Sequence, residues 1–337
     1  MKKTSIAVLF LGLAGLSAVS FADSLPLGAA SAFNLVALGT VDSSGNTVIA
    51  GNIGTNADVM GRIAAANMVT AGTTIGSGLG SNDPYGSSTT FAVVAGAGVS
   101  AGTTFNINGG GNVYAPNAKG QYNWNESPRG SLITTGSSGI DFNSLRTTLD
   151  AETLSLAGLS STGVVGAPTP KGGNPSWFVL SGTNPVLNVF DITAAEFADT
   201  NHPLDIQVPV GSTVIINVDG TSVTLGAGIY FNGVQESDTN DDDNMILFNF
   251  GQATSVSIDG QMDGAVLAPF AVLSGNSQMG GTFIAAAIGQ TGEVHNDEFD
   301  GTLPTVTAAT PEPGTMTLLG TGVLGIAGLA RRRFFKA

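Results

Sequence analysis

The apolar residues of this chain are gathered into runs too short for helices, separated at close intervals by turn-forming residues. Leu35 to Leu38, Thr47 to Ala50, Phe91 to Ala95, Thr213 to Val218, Met245 to Phe250, Thr254 to Ile258, Ala265 to Leu267 and Phe283 to Ile288 are the clearest, with Gly, Asn, Asp and Ser between them. Such runs read as many brief strands. The 48 glycines among 337 residues supply the positive-φ positions that tight turns demand. With no cysteine in the chain, the fold must hold through its core or through bound ions.

Internal echoes favour a solenoid over a sandwich. Val69-Thr70-Ala71-Gly72-Thr73-Thr74-Ile75 returns 30 residues later as Val99-Ser100-Ala101-Gly102-Thr103-Thr104-Phe105. The block from Met60 to Ala66 is answered by Met279 to Ala287, and Asn112 to Ala118 by Ala265 to Ala271. Repeated units that stack to share one core leave such echoes. The expected fold is mainly β, an irregular right-handed β-solenoid with one long helix packed alongside; a β-sandwich is the alternative.

That helix follows Asp141, a capping residue, and places Phe142, Leu145, Leu149, Thr153 and Leu156 at spacings of three and four before Gly158. A shorter helix is expected over Thr193 to Asp199. The stretch Gly163 to Pro175, rich in proline and glycine, reads as a loop or hinge.

Both termini carry targeting patterns. Lys2 and Lys3, the apolar run Ile6 to Val19 and the small residues before Asp23 form a signal peptide over 1–22, cleaved by leader peptidase between Ala22 and Asp23. At the other end stand Pro311, Glu312 and Pro313, an uncharged stretch from Gly314 to Ala330 long enough to cross a bilayer, and Arg331, Arg332 and Arg333. These three parts, in this order, resemble the PEP-CTERM sorting signal. The resemblance implies processing by an exosortase in a Gram-negative, exopolysaccharide-making bacterium, with transient anchoring in the inner membrane before delivery to the outer surface or matrix. The chain divides accordingly into the signal peptide, a β domain over 23–304, a spacer over 305–310 and the sorting signal over 311–337.

Charge narrows the partners. Between Asp23 and Thr310 the chain holds five basic residues (Arg62, Lys119, Arg129, Arg146 and Lys171) against 24 acidic ones, a net of −19. Such a surface repels nucleic acid, and anionic polysaccharide too unless divalent cations bridge the two.

Several segments together are similar to the choice-of-anchor A family of surface proteins: Ala32-Phe33-Asn34 with Leu38-Gly39, then Asp58 to Ala65, then Val208-Pro209 with Val214 to Val218. The closing blocks are Gly264 to Pro269, Gly281 to Ala285 and Gly292 to Asn296. Ala66-Asn67 stands where that family's pattern has glycines. The resemblance covers about residue 27 to 304 and implies an extracellular adhesive or matrix role without enzymatic activity. A solenoid with one helix beside its strands is also similar to ice-binding proteins, by analogy of architecture alone.

Few residues suggest chemistry. Gly98-Val99-Ser100-Ala101-Gly102 matches the hydrolase Gly-x-Ser-x-Gly elbow, yet it lies inside the repeated unit and is better read as coincidence. His295 sits near Asp297 and Glu298, but no second nitrogen or sulfur ligand is close, so a polar closing turn is the plainer reading. Asp238, Asn240 and Asp242 alternate within an acidic run as Ca²⁺ ligands do, though the loop is no EF-hand and also reads as a solvated hairpin tip. Calcium is the single cofactor suggested. The doublets Thr73-Thr74 and Thr103-Thr104 raise ice binding, with only two copies to support it. The expectation is a non-enzymatic structural or adhesive protein that meets exopolysaccharide or other surface proteins. A secreted carbohydrate-active enzyme using two carboxylates is the alternative from another class, and an ice-binding protein a lesser one.

Overall fold

The computed structural model describes residues 20–21, 26–79, 90–125, 129–171, 174–199, 202–235 and 243–305. Ala22–Leu303 form one compact unit, and both hydrophobic clusters of the chain lie wholly within it. The unit therefore holds its own core, the physical requirement for folding alone. In a separate unit, Ser20–Phe21 pairs antiparallel with Pro304–Thr305.

The unit is a parallel β-solenoid whose coils stack out of sequence order. Its first face is one sheet running Arg129–Ile133, Gly111–Tyr114, Phe91–Ala95, Ile63–Ala65, Leu35–Ala37, Phe283–Ile288, Ala265–Gly275, Ile246–Asn249, Thr213–Asp219 and Leu187–Thr193. Leu35–Ala37 is inserted between strands from opposite ends of the chain, pairing with Ile63–Ala65 on one side and Phe283–Ile288 on the other. The echo of Met60–Ala66 in Met279–Ala287 marks these two neighbours. Parallel pairing throughout needs crossovers, and the other two faces supply them.

Alternation along each strand splits the first face. Val113, Val93, Ile63, Leu35, Phe283, Val266, Phe248, Ile216 and Phe190 form a continuous inward row, all fully buried. Tyr114, Val94, Ala64, Val36, Ile284 and Leu267 point the other way, toward a long helix. That helix, α1 (Phe142–Ala157), buries Leu145, Leu149, Thr153 and Leu156 against them. Asp141 caps it by accepting from Asn143 and Ser144 N–H at 3.1 and 3.2 Å. The capping residue, apolar spacing and terminus read from the sequence all stand. Helix α2 (Ala194–Phe197) is shorter than expected because the Leu187–Thr193 strand continues to its cap, Thr193.

One expectation fails. Gly163 to Pro175 is not a hinge: Val164–Lys171 and Asn174–Ser181 pair as antiparallel strands in a five-stranded sheet. Val164–Lys171 is the edge strand there, where a proline's missing N–H costs no ladder bond.

Candidate functional site

The three solenoid faces differ sharply in what they offer. The first is covered by α1. The third carries carboxylates on its outer side, Asp58 and Glu293, which flank the paired Val59 and Val294, while Asp263 beside Met262 is buried. The second face is the candidate site.

Its inner side is a ladder of paired aliphatic residues: Val223, Val256, Leu273, Ile288, Ile53, Val69, Val99 and Ala118. All but Ala118 are buried. In a strand the next residue faces outward, so each rung presents the residue that follows. Those are Thr224, Ser257, Ser274, Gly289, Gly54, Thr70, Ser100 and Lys119. Backbone bonds hold the row in register where formal strands lapse: Gly54 N–H donates to the Ile288 carbonyl at 2.8 Å and Thr70 N–H to Ile53 at 2.9 Å. Ser100 N–H donates to Val69 at 3.0 Å and Lys119 N–H to Val99 at 3.2 Å.

The preceding residues make a second outward row: Ser222, Ser255, Val272, Ala287, Asn52, Met68, Gly98 and Asn117. Asn52 Oδ1 accepts from Asn67 Nδ2 and from Met68 N–H, at 2.9 and 3.0 Å, which pins the centre. Neither row contains a carboxylate, and Lys119 is the one charged side chain. Eight rungs at the ordinary strand spacing give a surface roughly 34 Å long. Small hydroxyl, glycyl and amide groups on rigid backbone make contacts by shape and by many weak hydrogen bonds; at the border of the rows Ser257 Oγ donates to the Asp259 carboxylate at 3.2 Å.

The threonine doublets do not form a ladder. Thr74 pairs with Asn106, and Thr104 with Gln121, so the repeat slips by two residues on the third face. Thr73 and Thr103 are buried. The Gly-x-Ser-x-Gly match also dissolves: Gly98–Val99 is a two-residue strand followed by a turn, without the helix an elbow needs.

His295 is buried in the strand Val294–His295, and its carbonyl accepts from Asn34 Nδ2 at 3.0 Å. Among the described residues no group of three or more His, Asp or Glu is arranged to hold a metal. Asp238, Asn240 and Asp242 lie outside the described residues, as do Ala22, Asp23, Pro311, Glu312, Pro313, Arg331, Arg332 and Arg333. No described helix is long and apolar enough to cross a membrane, and the stretch 314–330 lies outside the described residues too. A cleft of about 650 Å³ opens between the hairpin of Thr40–Val41 with Thr47–Ile49 and the start of α1, with Arg146 and Asn67 in its wall.

The second face leaves a chemical trace in the sequence even where it leaves no strand signal. Val69-Thr70, Val99-Ser100, Val223-Thr224, Val256-Ser257 and Leu273-Ser274 are each an aliphatic residue followed by a hydroxyl, and Ile53-Gly54 and Ile288-Gly289 substitute glycine.

The fold and the face together define a helix-backed parallel solenoid that presents two outward rows free of carboxylates. The family described as "Putative Ice-binding-like adhesive domain" matches residues 26–296, and the chain belongs to it. The PEP-CTERM protein-sorting motif matches residues 309–333, which span the Pro-Glu-Pro and the arginines. That motif marks the chain for export, exosortase processing and surface sorting in Gram-negative bacteria. Among solved structures, the chain is similar to an ice-binding protein from the Antarctic ascomycete Antarctomyces psychrotrophicus. The TM-score is 0.29 at 14% identity, covering 81% of this chain and 98% of that one. No curated protein matches the sequence.

Proposed function

We propose that the chain is a non-enzymatic structural or adhesive protein of the cell surface or exopolysaccharide matrix, and that the second solenoid face is its contact surface. The observation that carries this reading is the absence of carboxylates from both outward rows of a domain whose net charge is −19. An anionic body keeps the protein soluble and spaced from like-charged neighbours. The carboxylate-free rows are where a polymer can approach closely and meet hydroxyls and amides on successive rungs.

The remaining parts of the reading follow from the sorting motif and the composition. Leader peptidase cuts between Ala22 and Asp23; exosortase acts at Pro311, Glu312 and Pro313, with Arg331, Arg332 and Arg333 on the cytoplasmic side. The likeness to choice-of-anchor A proteins fits the same role. Calcium at Asp238, Asn240 and Asp242 bridges the anionic body to acidic polysaccharide; an unchanged melting temperature in millimolar calcium removes that site.

The test is incubation of the 22–303 unit with the exopolysaccharide of a producing strain. Saturable binding without turnover is expected, and Thr70→Glu with Ser257→Glu abolishes it while leaving the melting temperature in place. Turnover that disappears on removing a pair of carboxylates overturns the reading in favour of a carbohydrate-active enzyme. Ice is a second ligand for the same face, favoured by the hydroxyls of Thr224, Ser257, Ser274, Thr70 and Ser100 on paired rungs. Thermal hysteresis in the unit, lost in the same double variant, selects it.

A further inference from the structure

The two ends of the solenoid are built differently. At one end the Leu187–Thr193 strand is closed off: Thr162 and Gly163 N–H donate to the Val189 carbonyl at 2.9 and 3.2 Å. Thr162 Oγ1 accepts from Val189 N–H at 2.9 Å. Helix α2 packs over Ser222–Leu225, the last strand of the second face. Antiparallel strands border the five-stranded sheet on both sides, the second made by an Asn232-Gly233 turn with both residues at positive φ.

The opposite end has no such cover among the described residues. Arg129–Ile133 and Gln121–Trp124 are terminal strands, each paired on one side. The core row of the first face runs buried from Phe190 to Val113, and its next rung, Leu132, is 37% exposed. Stacked repeats ordinarily end in a polar cap; this end shows open strand edges and the end of its core.

Charge follows the same division. Residues 59–140, which build this end, hold Arg62, Lys119 and Arg129 against Asp83 and Glu126, a net of +1. The rest of the mature chain, 23–58 and 141–310, holds Arg146 and Lys171 against 22 acidic residues, a net of −20. Arg62 is buried, so the surface of this end is close to neutral, and two copies repel least through it.

We propose that the open end docks against the open end of a second copy across a two-fold axis. The Arg129–Ile133 edges pair antiparallel, and Leu132 is buried in the contact. A strand edge is satisfied by another strand edge, and the edge open at this end of one copy is repeated on the next, so the contact is isologous and closes at two. Centred on Ser131, antiparallel register sets Arg129 of one copy opposite Ile133 of the partner subunit, which keeps the arginines apart. The contact leaves the second face free in both copies.

Sedimentation of the 22–303 unit over the micromolar range tests this. A concentration-dependent dimer and nothing larger is expected. Hydrogen exchange should show amides of 121–124 and 129–133 gaining protection as concentration rises. Leu132→Lys weakens the dimer by about tenfold or more, with an unchanged melting temperature. A monomer at every concentration, a dimer indifferent to Leu132→Lys, growth beyond two copies, or protection gained elsewhere each overturns the proposal. So does edge protection that appears only on adding another surface protein. Because exchange is read on the unaltered protein, the test stands even if the variant misfolds.

Discussion

The Asn34 carboxamide occupies the space where a Cβ on residue 61 would stand, and Gly61 is the residue that leaves it room. Asn34 is fully buried. Its Nδ2 donates to the Gly281 and His295 carbonyls and its Oδ1 accepts from Arg62 N–H, all at 3.0 Å. One side chain thus ties the inserted strand to coils from both ends of the chain. Arg62, also buried, donates to the carbonyls of Phe91 and Ala32 at 2.6 and 3.1 Å and lies 4.4 Å over the Phe33 ring.

Replacing Asn34 by alanine strands a buried N–H and two carbonyls, at a cost on the order of 3 kcal/mol. Gly61→Ala forces the carboxamide out and costs a similar amount. The double variant should lose less than the sum, because Asn34→Ala opens most of the space Gly61→Ala needs and leaves only the Asn296 side chain to shift. Urea midpoints of the four proteins check this, and strict additivity sinks the steric account.

That junction also shows how far a sequence carries. Ala32-Phe33-Asn34 and Gly61-Arg62 stood out as blocks, and the strands around them were legible because alternation and turn residues are local signals. That Leu35–Ala37 threads between Ile63–Ala65 and Phe283–Ile288 was not legible, since pairing partners some 250 residues apart (Leu35 with Phe283) leave no local trace. The second face escaped for another reason. Its rungs at Ile53 and Ala118 are isolated bridges, too short for any strand signal. Gly163 to Pro175 misled because proline marks a turn and an edge strand alike.

The row of side chains facing α1 turns polar at its far end, where Leu267 pairs with Asn249 and Asn249 with Asn217. Asn249 Nδ2 donates to the Thr153 carbonyl and to Asn217 Oδ1, both at 2.9 Å, and Thr153 Oγ1 donates to Asn249 Oδ1 at 2.5 Å. Asn217 Nδ2 reaches the Leu156 carbonyl at 3.1 Å. These bonds clamp the last turn of the helix to the sheet. Asn249→Ala should cost about 2 kcal/mol and speed amide exchange over 153–157 more than over 142–149. Uniform change along the helix counts against a local clamp.

Tyr122 stacks on Phe105, ring centroids 5.9 Å apart, and its buried hydroxyl has no well-formed hydrogen bond among the described residues, the Gly120 backbone N–H giving only a partial interaction. Burial pushes the phenol above its ordinary 10.0. Removing a poorly satisfied polar atom while keeping the ring relieves its desolvation, so Tyr122→Phe should gain about 1 kcal/mol. A loss in thermal melting shows that the Gly120 interaction outweighs the desolvation.

On α1, burial raises the Glu152 carboxyl above its ordinary 4.5, and its Oε1 is buried without a partner. A raised carboxyl holds its proton more tightly in the folded chain than in the unfolded one. Below the unfolded value both states are protonated and the group is neutral to stability. As pH rises through that value the unfolded chain ionises first, and folding weakens until the folded value is passed. Glu152→Gln removes the difference. The variant should therefore melt with the natural protein at pH 4 and above it at pH 7. Asp150 is raised by the same cause and only partly offset by Arg146, so Asp150→Asn should move the same way. Melting curves that stay parallel from pH 4 to 7 exclude the linkage.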